Sequence, residues 1–497
     1  MPIEVMERIY SGHWMLQSFN CKGFVEDFHR FSGMKVFTKY ISIMEKGVCF
    51  MCWDTEEFER NANLLADKLL NDSAWRKRIY ALFDAYSRAY FLAGERFRQL
   101  PFSDISDRDL VKELRSLTSL QHSHQILGVL VNGFPIDGKN HLSEKIRGAL
   151  RDKIGNNPNF DAYWPFLTLP TRLSLRQKKD IALARLRRKM ESQKTFRVLP
   201  SSDPNTFRKE LEKIHGAFCW LDYLYMGPPA SIEQHAEELR NPKNKEHLHL
   251  KRELKKREYQ QIRLMDKLRL DKKTREFLHI AKQVIGQKGW RKDYQAHGFW
   301  CWQPFFEELA QRKRVADWRT LLFLFPWELE GFLLRTRPSV AELKERKKLS
   351  VSVSTEHSHH LLVGKKAREI ARSILNQKAG GGVKEAKGQC AYAGKARGFV
   401  RIIHTPADMQ KMKKGDIIVS QATSPDLLPA MTKAAAIVTN TGGLICHAAI
   451  TSRELKIPCI VGTGNATLIF KDGDLVEVHA TKGIITLIER GGSRKTI

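Results

Sequence analysis

The sequence has few cysteines and no long apolar run. Eight cysteines in 497 residues are too few for the disulfide framework of a small secreted protein. The first residues contain no apolar segment after a basic one, so we expect no secretory signal. The most apolar later stretch, 320–334, is interrupted by a proline and two glutamates and is too short to span a bilayer. We therefore expect a cytoplasmic protein that makes no contact with a membrane.

Acidic residues are scarce relative to basic ones, and the net charge is +29. Residues 385–497 carry +6, which leaves +23 on the first 384 residues. Much of it lies in 171–197, with ten bases against two acids, and in 241–275, with thirteen against five. A nucleic-acid footprint and an acidic protein partner are both open explanations. We favour solvated helix faces, because the bases are not interleaved with stacking aromatic residues.

A chain of this length is expected to form two or three domains. Residues 1–348 have a mainly helical pattern, with apolar residues three and four apart in Glu56–Phe97 and Lys251–Gln287. Ser231 and Gln234 have the spacing of a capping box. The short apolar run Val48–Trp53 predicts a strand beside the helices.

Residues 349–387 have the composition of a flexible linker. They contain a Ser/His-rich stretch, one predicted short helix (Lys365–Asn376) and three consecutive glycines, Gly380–Gly382. Such glycines carry a high entropic cost in regular structure and predict a hinge. The twelve residues from Gln377 to Gly388 would extend to about 40 Å.

From 388 to 490 the pattern becomes that of an α/β domain, and 491–497 form a tail. Short β-branched runs bounded by turn residues predict strands at Phe399–Ile403, Asp416–Val419, Ala436–Thr439, Cys459–Val461, Leu475–Val478 and Gly483–Ile488. Helices are predicted at Pro425–Ala430 and His447–Leu455. The predicted fold is thus multidomain, with a mainly helical region followed by an α/β domain.

One segment of this domain carries the residues suited to phosphate chemistry. A buried strand ends at Thr439, the glycines Gly442 and Gly443 follow, and His447 begins a helix. Glycines let the backbone approach a phosphate, and a helix N-terminus presents free N–H groups to an anion. The helix dipole disfavours the imidazolium, so His447 stays neutral and nucleophilic, and Ala448 and its neighbour are expected to keep the approach open. The alternative is a helix-capping histidine in an ordinary βα turn.

The wider sequence resembles a known family here. The matching stretches are GQCAYAGKARGFVRII (388–403), GDIIVSQATSPDLLPAM (415–431), AAAIVTNTGGLICHAAITSRELKIPCIVGTGNAT (434–467) and KDGDLVEV (471–478). They resemble the swivelling phosphohistidine domain of PEP-utilising enzymes such as phosphoenolpyruvate synthase and pyruvate phosphate dikinase. The resemblance implies that His447 is phosphorylated and that the domain moves between donor and acceptor sites. It also implies that Gly442, Gly443 and Arg453 belong to the active segment, with Thr439 in support.

The chain departs from this family at several positions. The dikinases have a regulatory threonine two residues before the histidine, where this chain has Ile445, so that regulation is in doubt. The family often has an Asp-Arg pair before the glycines, where this chain has Asn440 and Thr441. The usual Val-Asp-Gly near the end is replaced by residues 478–480, Val-His-Ala.

The rest of the chain does not resemble the ATP-grasp domain or the PEP-binding barrel of complete family members. Segments 215–227 and 322–334 more weakly resemble the helical part of rifampin phosphotransferase, which holds the acceptor. We therefore expect a phosphotransferase, or a subunit of one, that relays a phosphoryl group through His447 to an unknown acceptor. ATP or PEP with Mg²⁺ would be bound by a partner, such as an ATP-grasp protein, as in phenylphosphate synthase, and no cofactor is expected to bind this chain tightly.

The alternative is a non-catalytic regulator that retains the carrier domain as a scaffold and binds nucleic acid or an acidic partner through its basic helices. An intact nucleophile argues against this alternative, because a scaffold has no use for one. A salt-dependent affinity for nucleic acid, without phosphohistidine, would favour it.

Several other patterns have more ordinary interpretations. Gly133–Asn140 is similar to a P-loop, but Asn140 lacks the hydroxyl that binds Mg²⁺, so we interpret it as a turn. Cys49 and Cys52 have redox spacing but lie in an apolar run, which favours buried thiols.

A histidine cluster and an aromatic cluster are likewise interpreted without ligand binding. The histidines 357, 359 and 360 lack further ligands for a metal, and no metal site is predicted. Trp220, Tyr223 and Tyr225 have helical spacing, which is typical of a core.

Overall fold

The computed structural model describes residues 3–10, 13–34, 37–133, 141–155, 157, 159–192, 206–223, 227–241, 247–335, 337–375, 384–403, 406–423, 427–440, 442 and 446–491. The chain divides into two compact units. The first unit lies within residues 11–368, and the second contains residues 369–497 together with the strand β1 (Ile3–Tyr10).

The first unit is mainly helical, as predicted. Its helices are α1 (Trp14–Lys22), α2 (Phe28–Ser32), α3 (Thr55–Asn71), α4 (Ser73–Arg98), α5 (Asp107–Asn132), α6 (His141–Ile154), α7 (Phe160–Thr168), α8 (Leu175–Ser192), α9 (Thr206–Phe218), α10 (Ile232–Arg240), α11 (Leu250–Lys267), α12 (Lys272–Arg312), α13 (Leu329–Arg335) and α14 (Val340–Lys348). The long helices α4, α5 and α12 pack against one another and bury large aromatic residues such as Phe83, Phe97 and Phe305. No helix among the described residues is both long and apolar enough to cross a membrane.

Aspartate caps divide the predicted helical stretches. The stretch Glu56–Phe97 forms two helices, because the Asp72 side chain accepts a hydrogen bond from the Trp75 backbone N–H at 2.9 Å and begins α4. Asp271 likewise accepts from the Thr274 N–H and begins α12, which divides Lys251–Gln287. The predicted capping box at the start of α10 is confirmed, with reciprocal bonds between Ser231 and Gln234.

An antiparallel sheet lies in this helical unit. Its strands include β2 (Lys39–Glu45), β3 (Val48–Asp54), β4 (Leu349–Thr355) and β5 (Ser358–Val363). Strand β2 pairs with both β3 and β4, and β4 pairs with β5. The predicted strand at Val48–Trp53 is confirmed.

The hairpin of β4 and β5 corrects the expectation that 349–387 is a flexible linker. Residues 349–363 belong to the sheet of the first unit. Two buried serines of β4 have distant partners: the Trp14 indole N–H donates to Ser350 Oγ at 3.0 Å, and Cys21 Sγ lies 3.3 Å from Ser352 Oγ. A Ser/His-rich composition favours solvent exposure, and only these tertiary partners make burial tolerable. The chain then forms α15 (Gly364–Leu375), which confirms the predicted short helix, whereas Gly380–Gly382 lie outside the described residues.

The basic stretches are partly structural. In α8, Lys179 is buried and its Nζ lies 2.8 and 2.6 Å from the two carboxylate oxygens of Glu238. Arg187 is also buried, and it donates to the backbone carbonyls of Leu239 and Arg240. These two cations therefore hold α10 against α8, and only part of the positive charge lies on solvated faces.

The second unit is built on a mixed sheet. Its strands are β6 (Glu385–Lys387), β7 (Gln389–Tyr392), β8 (Lys395–Ile402), β9 (Ile417–Ser420), β10 (Ala436–Thr439), β11 (Cys459–Val461), β12 (Leu475–His479) and β13 (Ile484–Glu489). Their order is β6-β13-β12-β8-β9-β10-β11-β7. The four central strands β8 to β11 are parallel, and the flanking strands are antiparallel.

Both faces of the central strands are buried, as a parallel sheet requires. Val438 belongs to a cluster with the antiparallel strands and α18 (Ala466–Ile469). Its neighbour Ile437 points to the other face and belongs to a cluster with α16 (Leu428–Met431) and α17 (His447–Leu455). The predicted bounds of β10, β11 and α17 are confirmed without a shift, and the other predicted strands overlap the observed ones.

Candidate active site

The predicted site lies at the carboxyl ends of three adjacent parallel strands. Strands β9, β10 and β11 end at Ser420, Thr439 and Val461. In parallel α/β sheets, the crevice outside these ends is the usual position of a ligand. The loop between β10 and α17 begins at Asn440 and reaches the helix at His447.

Asn440 fixes the base of this loop. Its Nδ2 donates to Gln421 Oε1 at 2.9 Å and to Thr467 Oγ1 at 2.6 Å. Its Oδ1 accepts from the Thr467 backbone N–H at 3.1 Å and from Thr463 Oγ1 at 3.4 Å. Asn440 is 1% exposed, so the buried amide is satisfied as both donor and acceptor.

The backbone of Asn440 continues this connection. Its N–H donates to the Ser420 carbonyl, and its own carbonyl accepts from the Gly464 N–H, each at 2.9 Å. One residue therefore joins the ends of all three strands. A neutral amide suits this position because it both donates and accepts, which an aspartate at neutral pH does not.

Gly442 has a conformation that favours glycine. Its φ is +112°, and an added Cβ would lie 2.7 Å from Cys446 Sγ. Gly462, after β11, has a φ of +71°, and a Cβ there would lie 3.1 Å from the Gly442 carbonyl oxygen. The two glycines let the loop after β10 approach the turn after β11 closely.

The structure places the remaining predicted residues as follows. Thr439 is fully buried, and its carbonyl accepts from both the backbone N–H and the hydroxyl of Thr463. His447 is the first residue of α17, whose first turn contains no acidic residue. Gly443 and the side chains of His447 and Arg453 lie outside the described part of the structure.

The position of Ala448 differs from the expectation that its methyl group keeps an approach open. Ala448 is 1% exposed, and with Ala449 it packs into the core beneath α17. The small side chains therefore seat the helix closely on the sheet. Only the backbone N–H of Ala448 is available for a role at the helix N-terminus.

Gln421, Thr463 and Thr467 also belong to the site, although no motif predicts them. A usable signal was present, since Gly462-Thr463-Gly464 directly follows a buried strand that is parallel to β10. Turn residues at that point lie at the same edge of the sheet as the histidine loop.

The other patterns are resolved as core or lie outside the described residues. Cys49 and Cys52 are buried thiols in β3, as predicted. Trp220 and Tyr223 are buried core residues, and Tyr225 is not described. Gly133 ends α5 in a left-handed conformation, which agrees with a turn, and 134–140 lie outside the described residues.

The three histidines of the hairpin do not all lie in solvent. His359 Nε2 lies 2.9 Å from Ser352 Oγ, and the ring packs edge-on against Phe325 and Trp327. Burial, with Lys22 and other cations nearby, lowers the pKa of His359 to about 4. This histidine is therefore a neutral element of the sheet.

Part of the chain is similar to known proteins. Residues 412–483 match the family described as "PEP-utilising enzyme, mobile domain". A probable phosphoenolpyruvate synthase of Archaeoglobus fulgidus is 38% identical over 162 residues, covering 32% of this chain and 18% of that protein. A phosphoenolpyruvate synthase of Pyrococcus furiosus is 50% identical over 99 residues, covering 20% of this chain and 12% of that protein.

Residues 412–483, within the second unit, therefore correspond to the mobile domain of the PEP-utilising enzymes. The chain spans less than a fifth of the length of these relatives.

Among solved structures, the holo-form of Thermococcus kodakaraensis aconitase X is 21% identical and covers 21% of this chain and 98% of that chain, with a TM-score of 0.18.

Proposed function

We propose that the chain is a phosphotransferase component in which His447 carries a phosphoryl group. A neutral imidazole nitrogen of His447 attacks the donor phosphorus, an N–P bond forms, and the donor P–O bond breaks with its electrons remaining on the leaving oxygen. An acceptor oxygen then attacks the same phosphorus, loses its proton, and releases the neutral imidazole. One difficult transfer is thereby divided into two.

The single observation that carries this proposal is His447 at the start of α17, within the segment that matches the mobile domain. Free N–H groups of the first helical turn favour a phosphoryl dianion, and the absence of an acid there avoids electrostatic repulsion. Gly442 has a backbone conformation that favours glycine and lies close to the turn after β11, and Asn440 holds the loop to the strand ends. Gly443, Ala448 and Arg453 are proposed to support the phosphoryl group.

We propose that the donor, ATP or PEP with Mg²⁺, is bound by a partner protein such as an ATP-grasp protein. This proposal rests on the resemblance to phosphoenolpyruvate synthases, in which the matched segment is 18% of the Archaeoglobus protein and 12% of the Pyrococcus protein. Movement between donor and acceptor would use Gly380–Gly382 as the hinge.

A cavity of the first unit is the proposed acceptor site. It has a volume of about 450 Å³ and is bordered by α1, α5 and the start of α13. Trp327 stacks on Phe325 at 4.5 Å between ring centroids, and Lys22 Nζ lies 4.5 Å above the Trp327 ring. His122 Nε2 lies 2.6 Å from Asp27 Oδ2. The cavity thus offers an aromatic surface for a flat apolar acceptor and a polar side with a histidine and hydroxyl groups.

The test of the carrier is phosphorylation of the purified full chain. Labelled ATP and labelled PEP are supplied separately, each alone and with cell extract as a source of the partner. We expect acid-labile, alkali-stable label on the wild type and on His479→Ala, a control histidine of the same unit, and none on His447→Ala. Acid-labile label that persists in His447→Ala would contradict the proposal.

The acceptor site has a separate test. Trp327→Ala is expected to leave charging of His447 unchanged and to slow the loss of label to an added acceptor by about two- to twelvefold, because an aromatic contact contributes about 0.5–1.5 kcal/mol. Unchanged discharge would place the acceptor elsewhere. The two assays separate failure of the carrier from failure of the acceptor site.

A further inference from the structure

A buried histidine and cysteine face a carboxylate inside the first unit. His297 and Cys301 lie one turn apart on α12 and are fully buried. Glu95 lies on α4, with its Oε1 2.6 Å from His297 Nε2. Cys301 Sγ lies 3.6 Å from the same nitrogen. One donor atom from each residue can be chosen so that all three lie within 4.8 Å of one another.

These separations are close to those of a tetrahedral metal site. With Zn–N of about 2.05 Å and Zn–S of about 2.3 Å, a tetrahedral angle separates nitrogen and sulfur by about 3.6 Å. The observed distance between His297 Nε2 and Cys301 Sγ is also 3.6 Å. Sγ lies 3.8 Å from His297 Nδ1 as well, which places it beside the ring, so the Cys301 side chain would rotate to share a metal with Nε2. The carboxylate oxygen is closer than a shared metal allows and would retreat by about 0.8 Å, which a long glutamate side chain with 38% exposure accommodates.

The surroundings hold these groups in position. A Cβ at Gly94 would lie 3.2 Å from Cys301 Sγ, so the glycine allows α4 to approach α12 at the cluster. Phe91 stacks on the His297 ring at 3.9 Å between centroids, and Trp220 contacts it edge-on at 4.9 Å. A ring held on both sides is preorganised for coordination.

The charges of the proposed ligands also favour the binding of a divalent cation. A carboxylate and a metal-bound thiolate together neutralise a divalent ion. The nearby cation Arg98 is turned toward Trp300, because it donates to the Trp300 carbonyl at 3.0 Å and lies over its ring.

We propose that Glu95, His297 and Cys301 bind a zinc-class divalent cation, with water as the fourth ligand on the side where Glu95 reaches solvent. The mixed O, N and S donor set suits zinc and its substitute cobalt, whereas magnesium and calcium favour oxygen alone. Three protein ligands and an open position are typical of a site that acts on a substrate. This site is independent of the phosphohistidine.

The experiment uses the full chain after removal of metal by a chelator. Titration with Co²⁺ is followed by absorption, where a thiolate ligand produces a charge-transfer band and a tetrahedral site produces intense d–d bands. We expect one equivalent of Co²⁺, displaced by one equivalent of Zn²⁺. The charge-transfer band should vanish in Cys301→Ser, and the affinity should fall at least about tenfold in Glu95→Gln, which retains the size and polarity of the side chain.

Matched controls separate this site from adventitious binding. Cys390→Ser changes a cysteine of the other unit, and His360→Gln changes an exposed histidine; both should leave the cobalt spectrum unchanged. A charge-transfer band that persists in Cys301→Ser, or an affinity unaffected by Glu95→Gln, overturns the proposal, as does the absence of a tetrahedral spectrum. Cys219 is a second buried thiol near Cys301. Loss of the band in Cys219→Ser with retention in Cys301→Ser would assign the thiolate ligand to Cys219 and overturn the proposal.

Discussion

The two units differ in the distance along the chain between residues that act together. In the second unit, the loop of the candidate site, Asn440 to His447, follows one strand and begins the next helix. In the first unit, β2 pairs with β4 although they are separated by about 300 residues, and Glu95 meets His297 across 202 residues. Chemistry that is local in sequence can be identified from a motif, whereas chemistry assembled by packing requires the structure.

The units also differ in their use of polar groups. In the second unit, buried polar side chains such as Asn440 and Thr463 join strand ends around the candidate site. In the first unit, buried cations such as Lys179 join helices. A high positive charge is therefore not by itself evidence for a surface that binds nucleic acid.

The largest effect is expected from Glu238→Ala. Lys179 is 2% exposed, and removal of its partner leaves a buried ammonium, which typically costs about 3–5 kcal/mol in the free energy of unfolding. The control is Glu345→Ala, since its partner Lys348 is 72% exposed and the expected cost is below about 1 kcal/mol. Urea unfolding followed by tryptophan fluorescence reports the first unit, because all ten tryptophans lie before residue 328. Equal effects of the two variants would contradict a structural role for Lys179.

Ile437→Ala tests whether each unit depends on its own core. Ile437 is fully buried in the central strand β10, and the substitution should cost the second unit about 2–4 kcal/mol. Calorimetry should show a lower melting temperature for that unit, while the tryptophan transition of the first unit stays in place. A tryptophan midpoint that falls by the same amount would show that the two cores unfold as one.

The pH dependence of the first unit should reflect His359. Its pKa is lowered to about 4 in the folded state, against an ordinary value of about 6.5 in the unfolded chain. The unfolded state therefore binds the proton first, so stability is complete above about pH 6.5 and is lost as the pH falls towards 4. The loss is at most about 3 kcal/mol, and smaller because the ring is only partly buried.

Two variants check this assignment in urea unfolding at a series of pH values. His359→Gln should flatten the decline between pH 6.5 and 4. His360→Gln, at the exposed neighbouring position, should leave it unchanged. An identical slope in wild type and His359→Gln would assign the decline to other groups.

Asn440→Asp should destabilise the second unit by about 1–3 kcal/mol. The buried side chain would lose both Nδ2 donations, to Gln421 and Thr467, and an acceptor would be left unsatisfied. The control is Gln410→Glu, which makes the same change from amide to carboxylate at an exposed position and should cost less than about 0.5 kcal/mol. If calorimetry gives equal melting temperatures for the two variants, the polar connection between the strand ends contributes little.

The smallest effect is expected from Ser231→Ala, about 1 kcal/mol, because it removes the capping box at the start of α10. Ser116→Ala, at an exposed position within α5, is the control and should be neutral or slightly stabilising, since alanine favours a helix interior. Urea unfolding by fluorescence compares the two. A cost for both variants would indicate a general effect of losing serine hydroxyls.

Features encoded within a few neighbouring residues were predicted correctly, whereas features assembled by tertiary packing were not. The bounds of β10, β11 and α17 agree with the prediction because short apolar strands, turn glycines and a helix start are encoded within a few residues. The hairpin of β4 and β5 was predicted as linker, because Ser350 and Ser352 are polar and their partners, Trp14 and His359, are not evident from local pattern. The burial of Ala448 in the core beneath α17 likewise depends on packing that the local pattern does not show.

Local sequence is sufficient for the α/β pattern, the capping box and the segment that contains His447, because backbone geometry and helix termini depend on neighbouring residues. Tertiary structure alone decides that Asn440 joins three strand ends, that Lys179 is buried, and that Glu95 reaches His297 and Cys301. Each of these depends on side chains that are remote in sequence. Burial increases the free-energy contribution of their hydrogen bonds and charges.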